Sequence, residues 1–266
     1  MTFVYGLYAP NAPNLIDPSV FGGVGEGTVK ALRALDVSGR VRPDAILVAS
    51  PHWVAPDGFR VQSSPRLRQI HDFSGFPRRL YEVPYSPPGD PDLARAIVEE
   101  GSRRHLPVES TADWGLDHGA WATLLHVAPG ANVPVVPLSI APLPPEEHIA
   151  WGEAIRAVVE KTSTRIAFVS TGSITHRLDR LDMSSAAPWH EAAAVEKEIV
   201  DLILERRYDN LTTFDADRWA LVAPEGDLAP FFIMAGALGD FFRPKLISTE
   251  QVFGSVSLTT LEFVPK

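Results

Sequence analysis

Short apolar segments rich in β-branched residues alternate along the chain with longer segments in which apolar residues recur at helical spacing. The predicted strands are residues 3–8, 45–50, 133–140 and 165–170, followed by a strand at the edge of the sheet within 252–264. The predicted helices are residues 26–35, 119–127, 145–161 and 189–206, with another that begins at Asp90. This alternation predicts an α/β fold with helices layered on a central sheet. No linker or repeat divides the chain, so we expect one domain over residues 1–266.

Composition and charge narrow the possible functions. Lys and Arg number 24 against 33 Asp and Glu, and no basic run occurs, which argues against nucleic acid as a partner. The absence of cysteine excludes disulfides, thiolate metal sites and cysteine nucleophiles. The N-terminal sequence has no basic leader, and the longest apolar run, residues 231–238, is far shorter than the roughly 20 residues that cross a bilayer. We therefore expect a cytoplasmic protein with no membrane partner.

Three histidines occupy positions where catalytic side chains collect in α/β folds, on loops at the ends of strands. His52 and His176 each follow a predicted strand, and His118 lies in the string Gly-Leu-Asp-His-Gly. Glycine near two of them permits tight turns and close approach of a ligand. These three are the candidate catalytic or metal-binding histidines.

The other five histidines have simpler interpretations. His105, His148 and His190 lie among polar residues, which predicts that they are solvated. His126 lies beside leucines on an apolar helix, which predicts a partly buried imidazole with satisfied hydrogen bonds. His71 either lines a pocket or bonds across a turn.

Two carboxylates, Glu225 and Asp227, precede the apolar run at 231–238, which predicts a buried helix. A carboxylate at a helix N-terminus is electrostatically favourable, so one interpretation is an ordinary helix cap. The other is a functional carboxylate. Composition alone favours the cap.

Six strings, taken in order, resemble the class III extradiol ring-cleavage dioxygenase superfamily, and particularly its DOPA-dioxygenase-like branch. They are SPHW at 50–53, IHDFSGFP at 70–77, GLDHGAW at 115–121, NVPVVPLSI at 132–140, STGSITH at 170–176 and PEGDLAPFFIMAGAL at 224–238. Each string is weak alone, but six in family order are specific and span most of the chain. The resemblance implies a single domain with a mixed central β-sheet flanked by helices.

The resemblance also implies a mononuclear non-haem Fe(II) centre held by two histidines and one carboxylate, with zinc or manganese as alternative metals. His52 matches the second histidine ligand, and Glu225 matches the carboxylate ligand, which reverses the preference for a cap. His118 and His176 match the two active-site histidines. In the implied roles, His176 is the acid/base, and His118 hydrogen-bonds the substrate oxygen or dioxygen.

Asn11 departs from the family pattern. The first histidine ligand of the family stands in an N-terminal Pro-His-x-Pro loop, and here the string is Ala-Pro-Asn-Ala-Pro. An amide oxygen is a poorer donor to Fe(II) than imidazole, so we expect weaker iron binding. Three interpretations follow: Asn11 ligates through its side-chain oxygen, a distant histidine such as His71 replaces it, or the chain is a non-catalytic partner subunit.

The leading hypothesis is an extradiol ring-cleaving dioxygenase that inserts O2 into a catechol or ortho-substituted phenol. Trp53, Phe73, Phe76 and Tyr81 are candidate pocket walls, with core packing as the alternative. The other hypotheses are a non-catalytic homologue that binds an aromatic ligand, and a zinc hydrolase that uses the same His and Glu positions. The expected assembly is a homodimer or dimer of dimers, or a hetero-oligomer with a catalytic homologue.

Overall fold

Strands and helices alternate as the hydrophobic pattern predicts. The computed structural model describes residues 3–183, 185 and 189–266. The strands of the main sheet are β1 (Phe3–Ala9), β2 (Ala45–Val54), β3 (Phe59–Gln62), β4 (Val108–Thr111), β5 (Val135–Ile140), β6 (Ile166–Thr171), β7 (Phe242–Ser248) and β10 (Thr260–Pro265), and a hairpin is formed by β8 (Gln251–Val252) and β9 (Val256–Ser257). The helices are α1 (Glu26–Leu35), α2 (Pro91–Arg103), α3 (His118–Val127), α4 (Pro145–Val159), α5 (His190–Leu204), α6 (Tyr208–Thr212), α7 (Ala216–Val222) and α8 (Ala229–Leu238).

The main sheet has eight strands in the order β4-β3-β5-β2-β6-β1-β10-β7. Its centre, from β5 through β2 and β6 to β1, is parallel. β10 and β7 continue it antiparallel on one side, while β3 pairs antiparallel with β5 and parallel with β4 on the other. This confirms the α/β fold with a mixed central sheet. Because β2 and β6 are parallel, their carboxyl ends meet at one edge, where ligands bind in open α/β sheets.

Alternation of side chains along the central strands builds a core on each face of the sheet. Ile46 and Val48 of β2 pack on the face covered by α1 and α3. Leu47 and Ala49 pack on the other face with α4 and α8. All ten residues of α8 are buried, as the apolar run predicts. The sheet thus lies between two helical layers and holds the ends of its strands rigidly.

Two predicted strands differ from the structure. β2 continues to Val54, so His52 lies inside the strand rather than after it. The prediction of an edge strand within 252–264 is wrong, because β10 lies one position inside the sheet and β7 forms the edge. Of the seven residues of β7 only Phe242 is buried, and the strand carries the basic residues Arg243 and Lys245, a pattern that suits an edge strand but gives no long apolar run to predict it from.

In the described part of the chain, no single helix is long and apolar enough to span a membrane. Within the described ranges, one pair of helices, Ala216–Val222 with Glu225–Phe241, reaches that length and apolarity when taken together, and its two parts are bent by 120°.

Candidate active site

His52 lies near the carboxyl end of β2, where the strand separates from its neighbours. Pairing with β6 stops at Ala49, and the register with β5 shifts between Ala49 and Val54. Ser50 then ties the strand to the start of α3: its hydroxyl donates to Asp117 Oδ1 at 2.6 Å and accepts the His52 N–H at 3.2 Å. Asp117 also caps α3 by accepting the N–H of the helix's third residue. One short network therefore positions both the strand end and the helix start.

Gly119 lets the first turn of α3 approach this strand end. A Cβ at Gly119 would lie 2.9 Å from His52 Cδ2 and would overlap the Ser50 hydroxyl. The close approach brings the rings of His118 and His52 edge to face, with centroids 4.2 Å apart. The Asp-His-Gly string thus supplies a cap, a site histidine and the space for its neighbour.

Glu225 reaches the same point from the turn before α8. Its Oε1 lies 2.9 Å from His52 Nε2, and its Oε2 accepts the Ser173 N–H at 3.1 Å. The backbone turns sharply after it, with φ of 58° at Gly226, 51° at Asp227 and 58° at Leu228. A left-handed conformation is strained for a bulky residue such as Leu228, and such strain persists where the surrounding packing enforces it.

The cap interpretation is wrong for both carboxylates. Neither the turn that begins at Glu225 nor α8 has a side-chain cap. Glu225 bonds to Ser173 on the loop after β6, and Asp227 accepts the Trp219 indole N–H at 3.1 Å. Glu225 therefore belongs to the cluster at the strand ends.

Two further predicted residues surround Glu225 Oε1. The amide nitrogen of Asn11 lies 3.4 Å from this oxygen, and His176 Nε2 lies 4.0 Å from it. Asn11 is buried, and the His176 backbone is fixed by a 2.8 Å hydrogen bond from its N–H to the Val222 carbonyl. The five residues predicted for the site therefore converge, although their chain segments are far apart.

Asp72 is a member of the cluster that sequence reasoning missed. Its Oδ2 accepts from His52 Nδ1 at 2.6 Å, and its Oδ1 accepts the His118 backbone N–H at 2.7 Å. The same oxygen lies 2.9 Å from His118 Nδ1. Histidines that bind metals commonly donate their second ring N–H to a carboxylate, so the acid next to His71 in the IHDF string was the available signal.

The charges in this cluster favour a cation at its centre. Burial alone would lower the pKa of His52, but hydrogen bonds to Asp72 and Glu225 outweigh burial and raise the pKa to about 10. Burial opposes ionisation of Asp72 and Glu225, yet contacts with the neighbouring histidines hold the pKa of each carboxyl below its usual value. The imidazolium thus sits between two carboxylates. A divalent cation fits where the Nε2 proton lies, because metal ions displace such protons from their ligands.

Two sets of ligand atoms share His52. Its Nε2 lies 2.9 Å from Glu225 Oε1, the oxygen that is also 3.4 Å from the Asn11 amide nitrogen. Its Nδ1 contacts Asp72, and ligand atoms of His52, Asp72 and His118 lie within 4.8 Å of one another. Asn11 and Glu225 line the cavity described below, whereas Asp72 does not. His118 also lines the cavity, so the second set lacks only Asp72 there, whereas all three residues of the first set face a space that substrate can enter.

The cluster lines one end of a cavity of about 310 Å³, at the low end of the range for small-molecule sites. The remaining lining residues, mostly apolar, are Ala12, Pro13, Asn14, Phe21, Phe76, Ser173, Leu178, Leu181, Met183, Phe253 and Val256. Three larger surface depressions, of about 410, 520 and 530 Å³, include none of the predicted site residues. The predicted site residues therefore lie on the 310 Å³ cavity and not on the larger depressions.

Of the four aromatic residues predicted to form the pocket walls, one lines the cavity. Phe76 lines the cavity, and Phe73 stands behind it with its ring centroid 5.0 Å from that of His118. Tyr81 packs on Phe73 at 4.7 Å. Trp53 points away and stacks on Trp114, with their rings 5.7 Å apart and nearly parallel.

The remaining histidines follow the predictions with two exceptions. His126 is buried and bonds to the Leu15 carbonyl at 2.7 Å, as predicted, and His105 and His190 are exposed. The prediction that His148 is solvated is wrong: it is buried against Phe59 and bonds to the Pro144 carbonyl at 3.0 Å.

Where the chain is described, His71 is not among the residues that line the cavity and forms no hydrogen bond across a turn. Its ring packs against Phe73, Tyr81 and Trp121, with centroids 5.4 to 5.9 Å away. It therefore does not take the place of the missing histidine ligand beside Asn11.

The chain combines an α/β fold with a cluster of histidines and carboxylates at the carboxyl edge of its sheet. This arrangement is typical of proteins that bind a metal through nitrogen and oxygen ligands, without thiolates. The model of the catalytic LigB subunit of aromatic ring-opening dioxygenase matches residues 10–260, and the chain belongs to this family. The resemblance carried by the six strings is confirmed.

Several relatives have assigned names. A 4,5-DOPA dioxygenase extradiol from Beta vulgaris is 32% identical over 230 residues, which cover 84% of this chain and 83% of that protein. The protein of the same name from Escherichia coli (strain K12) is 37% identical over 155 residues, 56% of this chain and 54% of that one. A 2-aminophenol 1,6-dioxygenase beta subunit from Pseudomonas sp is 26% identical over 191 residues, 65% of this chain and 62% of that one.

The fold also matches a solved structure. The crystal structure of the uncharacterized protein JW3007 from Escherichia coli K12 superposes with a TM-score of 0.74 and covers 97% of this chain and 99% of that one. At 21% sequence identity, this likeness shows the fold alone.

Proposed function

We propose that this chain is an extradiol ring-cleaving dioxygenase that binds its metal through His52, Glu225 and the side-chain oxygen of Asn11. The observation that carries the proposal is the convergence of these three side chains on one cavity, with Glu225 Oε1 2.9 Å from His52 Nε2 and 3.4 Å from the Asn11 amide. The amide turns its NH2 group to the carboxylate. Rotation of the amide by half a turn would present its oxygen to a metal instead.

Fe(II) is the proposed metal for ring cleavage, with manganese as the alternative, whereas zinc, which has no redox chemistry, would suit only the hydrolase alternative. When bound, Fe(II) would supply open coordination positions for the substrate oxygens and O2 and a path for electrons between them. In the overall reaction, the ring C–C bond beside the two hydroxyl-bearing carbons breaks and both atoms of O2 enter the product. No external reductant is needed.

His176 is the proposed acid/base. It is half-buried and lines the cavity, with Nε2 on the side of Glu225. An imidazole nitrogen can accept a proton and its conjugate acid can donate one, so His176 can take a proton from a substrate hydroxyl and return it to a product oxygen. The 2.8 Å backbone bond to Val222 fixes the residue that performs this transfer.

His118 is the proposed hydrogen-bond donor. Its Nδ1 lies 2.9 Å from Asp72, so Nε2 is the nitrogen that remains for the cavity that His118 lines. A donor held there can stabilise negative charge that develops on oxygen during the reaction. Asp72 positions it together with His52.

The proposed substrates are O2 and a small catechol or a related ortho-substituted phenol such as an aminophenol. The relatives named as DOPA and aminophenol dioxygenases support this class. The relative named as a beta subunit supports assembly into an oligomer, either of this chain alone or with a catalytic homologue. In that second case Asn11 would mark a partner-dependent subunit.

Iron content after anaerobic Fe(II) loading and desalting tests the metal site. We expect about one iron per chain, lost in His52→Ala and Glu225→Ala and retained in His105→Ala, which removes an exposed histidine outside the cluster. No iron in the parent chain, or iron retained by both site variants, contradicts the site.

Oxygen uptake with catechols then tests the reaction. We expect His176→Ala to keep its iron and to lose turnover by roughly 100-fold or more. Iron binding without oxygen uptake on any catechol or aminophenol would favour the non-catalytic alternative.

A further inference from the structure

Among the residues that the structure describes, none that lines the cavity beyond the histidine cluster is a lysine or an arginine. The larger apolar side chains of the cavity are Phe21, Phe76, Leu178, Leu181, Met183 and Phe253. The sequence between Met183 and Trp189, Ser-Ser-Ala-Ala-Pro, has no basic residue either. A carboxylate on the ligand would therefore find no countercharge in this part of the site.

The nearest arginines in the sequence are engaged elsewhere. Arg177 forms an ion pair with Asp179 at 2.6 Å, and its guanidinium lies 5.4 Å from the ring of Trp189. Arg180 stacks over the same indole at 4.0 Å. Both arginines flank Leu178 in the sequence, yet Leu178 lines the cavity and neither arginine does.

The rim of the cavity is unusually apolar for a surface. Leu178, Leu181 and Met183 are 55%, 41% and 61% exposed and all three line the cavity. They are half of the six large apolar side chains that are exposed in the described part of the chain. Exposed apolar side chains that lie together are typical of a binding surface. An apolar group of a ligand placed there would remove these side chains from water.

We infer that the substrate is a catechol or aminophenol whose ring substituent is apolar and bears no carboxylate. The inference rests on the proposed function, which places the two ring heteroatoms at the histidine cluster and so directs the substituent along the apolar lining. A carboxylate among these side chains would lose its hydration without gaining a partner. DOPA, the compound in the names of several relatives, carries an amino acid group and is thus predicted to be a poor substrate.

A matched pair of ligands tests the inference. The Fe(II)-loaded full chain is given 4-butylcatechol or 3-(3,4-dihydroxyphenyl)propanoate, which have side chains of similar length, and L-DOPA is added as a third ligand. We expect kcat/KM from oxygen uptake to favour 4-butylcatechol by at least about tenfold, the ratio of a 1.4 kcal/mol difference. Anaerobic titration, followed by tryptophan fluorescence, should give the same order of affinity.

Two matched arginine variants test whether the selectivity between the two catechols arises at the rim of the cavity. Leu181→Arg places a cation at the rim and should shift the ratio of kcat/KM towards the propanoate by about tenfold, the same 1.4 kcal/mol. Leu246→Arg makes the same change on β7, away from the cavity, at a side chain that is 38% exposed, and should leave the ratio unchanged. Leu181→Gln separates the added charge from the lost apolar contact, because it should weaken 4-butylcatechol without favouring the propanoate.

The outcomes separate this inference from the proposed function. Equal or better use of the propanoate or L-DOPA by the parent chain overturns the inference and leaves the dioxygenase intact. The same shift in both arginine variants also overturns it, since a global charge effect would then explain the result. If the aromatic ring of none of the three ligands is cleaved, the proposed function fails. The anaerobic affinities then still test the inference: tighter binding of 4-butylcatechol supports it, and any other order overturns it.

Discussion

Replacing Asp72 by asparagine removes a charge that bridges both histidines at the strand end. The side chain keeps its volume, but a neutral amide replaces a carboxylate that accepts from His52 Nδ1 at 2.6 Å and from the His118 backbone at 2.7 Å. The carboxylate holds Nδ1 of His52 as a donor and so leaves Nε2 facing Glu225. Without it, the imidazole of His52 is less basic and less firmly oriented as a ligand.

The expected magnitude follows from the number of contacts that change. Loss of one such supporting partner typically weakens metal binding by about 10–100-fold. Asp72 makes three close contacts, at 2.6, 2.7 and 2.9 Å, so we expect the upper end, about 100-fold or 2.7 kcal/mol.

Anaerobic chelator competition measures the effect. Fe(II) is titrated into the parent, Asp72→Asn and Asp113→Asn, where Asp113 is an exposed carboxylate outside the cluster that receives the same change of charge. We expect only Asp72→Asn to lose affinity. Affinity within about twofold of the parent would refute the positioning role of Asp72, and equal losses in both variants would assign the effect to net charge.

Burial raises the pKa of Glu196, so its folded form holds protons more tightly than the unfolded chain and loses stability as pH rises. In urea unfolding measured from pH 4 to 7, the free energy of unfolding of Glu196→Gln should therefore rise relative to that of the parent. A difference between the two proteins that does not vary with pH contradicts this. Gly119→Ala places a Cβ 2.9 Å from His52 and should cost about 1–3 kcal/mol in urea unfolding, whereas Gly27→Ala, at an open helical position, should be neutral or stabilising. Asn11→His should raise Fe(II) affinity in the chelator assay; an unchanged affinity contradicts a ligand position at Asn11.

The predictions that succeeded relied on local patterns. Helix α2 begins where Asp90 caps it, with the Asp90 carboxylate accepting the Leu93 N–H at 3.0 Å. The buried α8 follows from an unbroken apolar run. These features succeed because capping and periodicity act over a few residues and do not depend on distant parts of the chain.

The predictions that failed needed a distant partner. His148, on helix α4, has polar neighbours in the sequence, yet it is buried and packs against the ring of Phe59 on β3. β7 is an edge strand without a strong apolar run and is defined by its pairing with β10. Exposure and pairing of this kind are set by segments that meet only in the folded chain.

The sequence by itself determined the alternation of strands and helices, the residue types available for chemistry and, through six strings, the family. Only the tertiary structure decided which atoms meet. It placed Glu225, a metal ligand by family resemblance, 2.9 Å from His52, which lies 173 positions away in the sequence, and brought Asn11 to the same carboxylate across 214 positions. It also revealed Asp72 as the support of both histidines. The physical reason is that hydrophobic periodicity is a property of neighbouring residues, whereas a site is a set of distances among side chains that the folded sheet holds together.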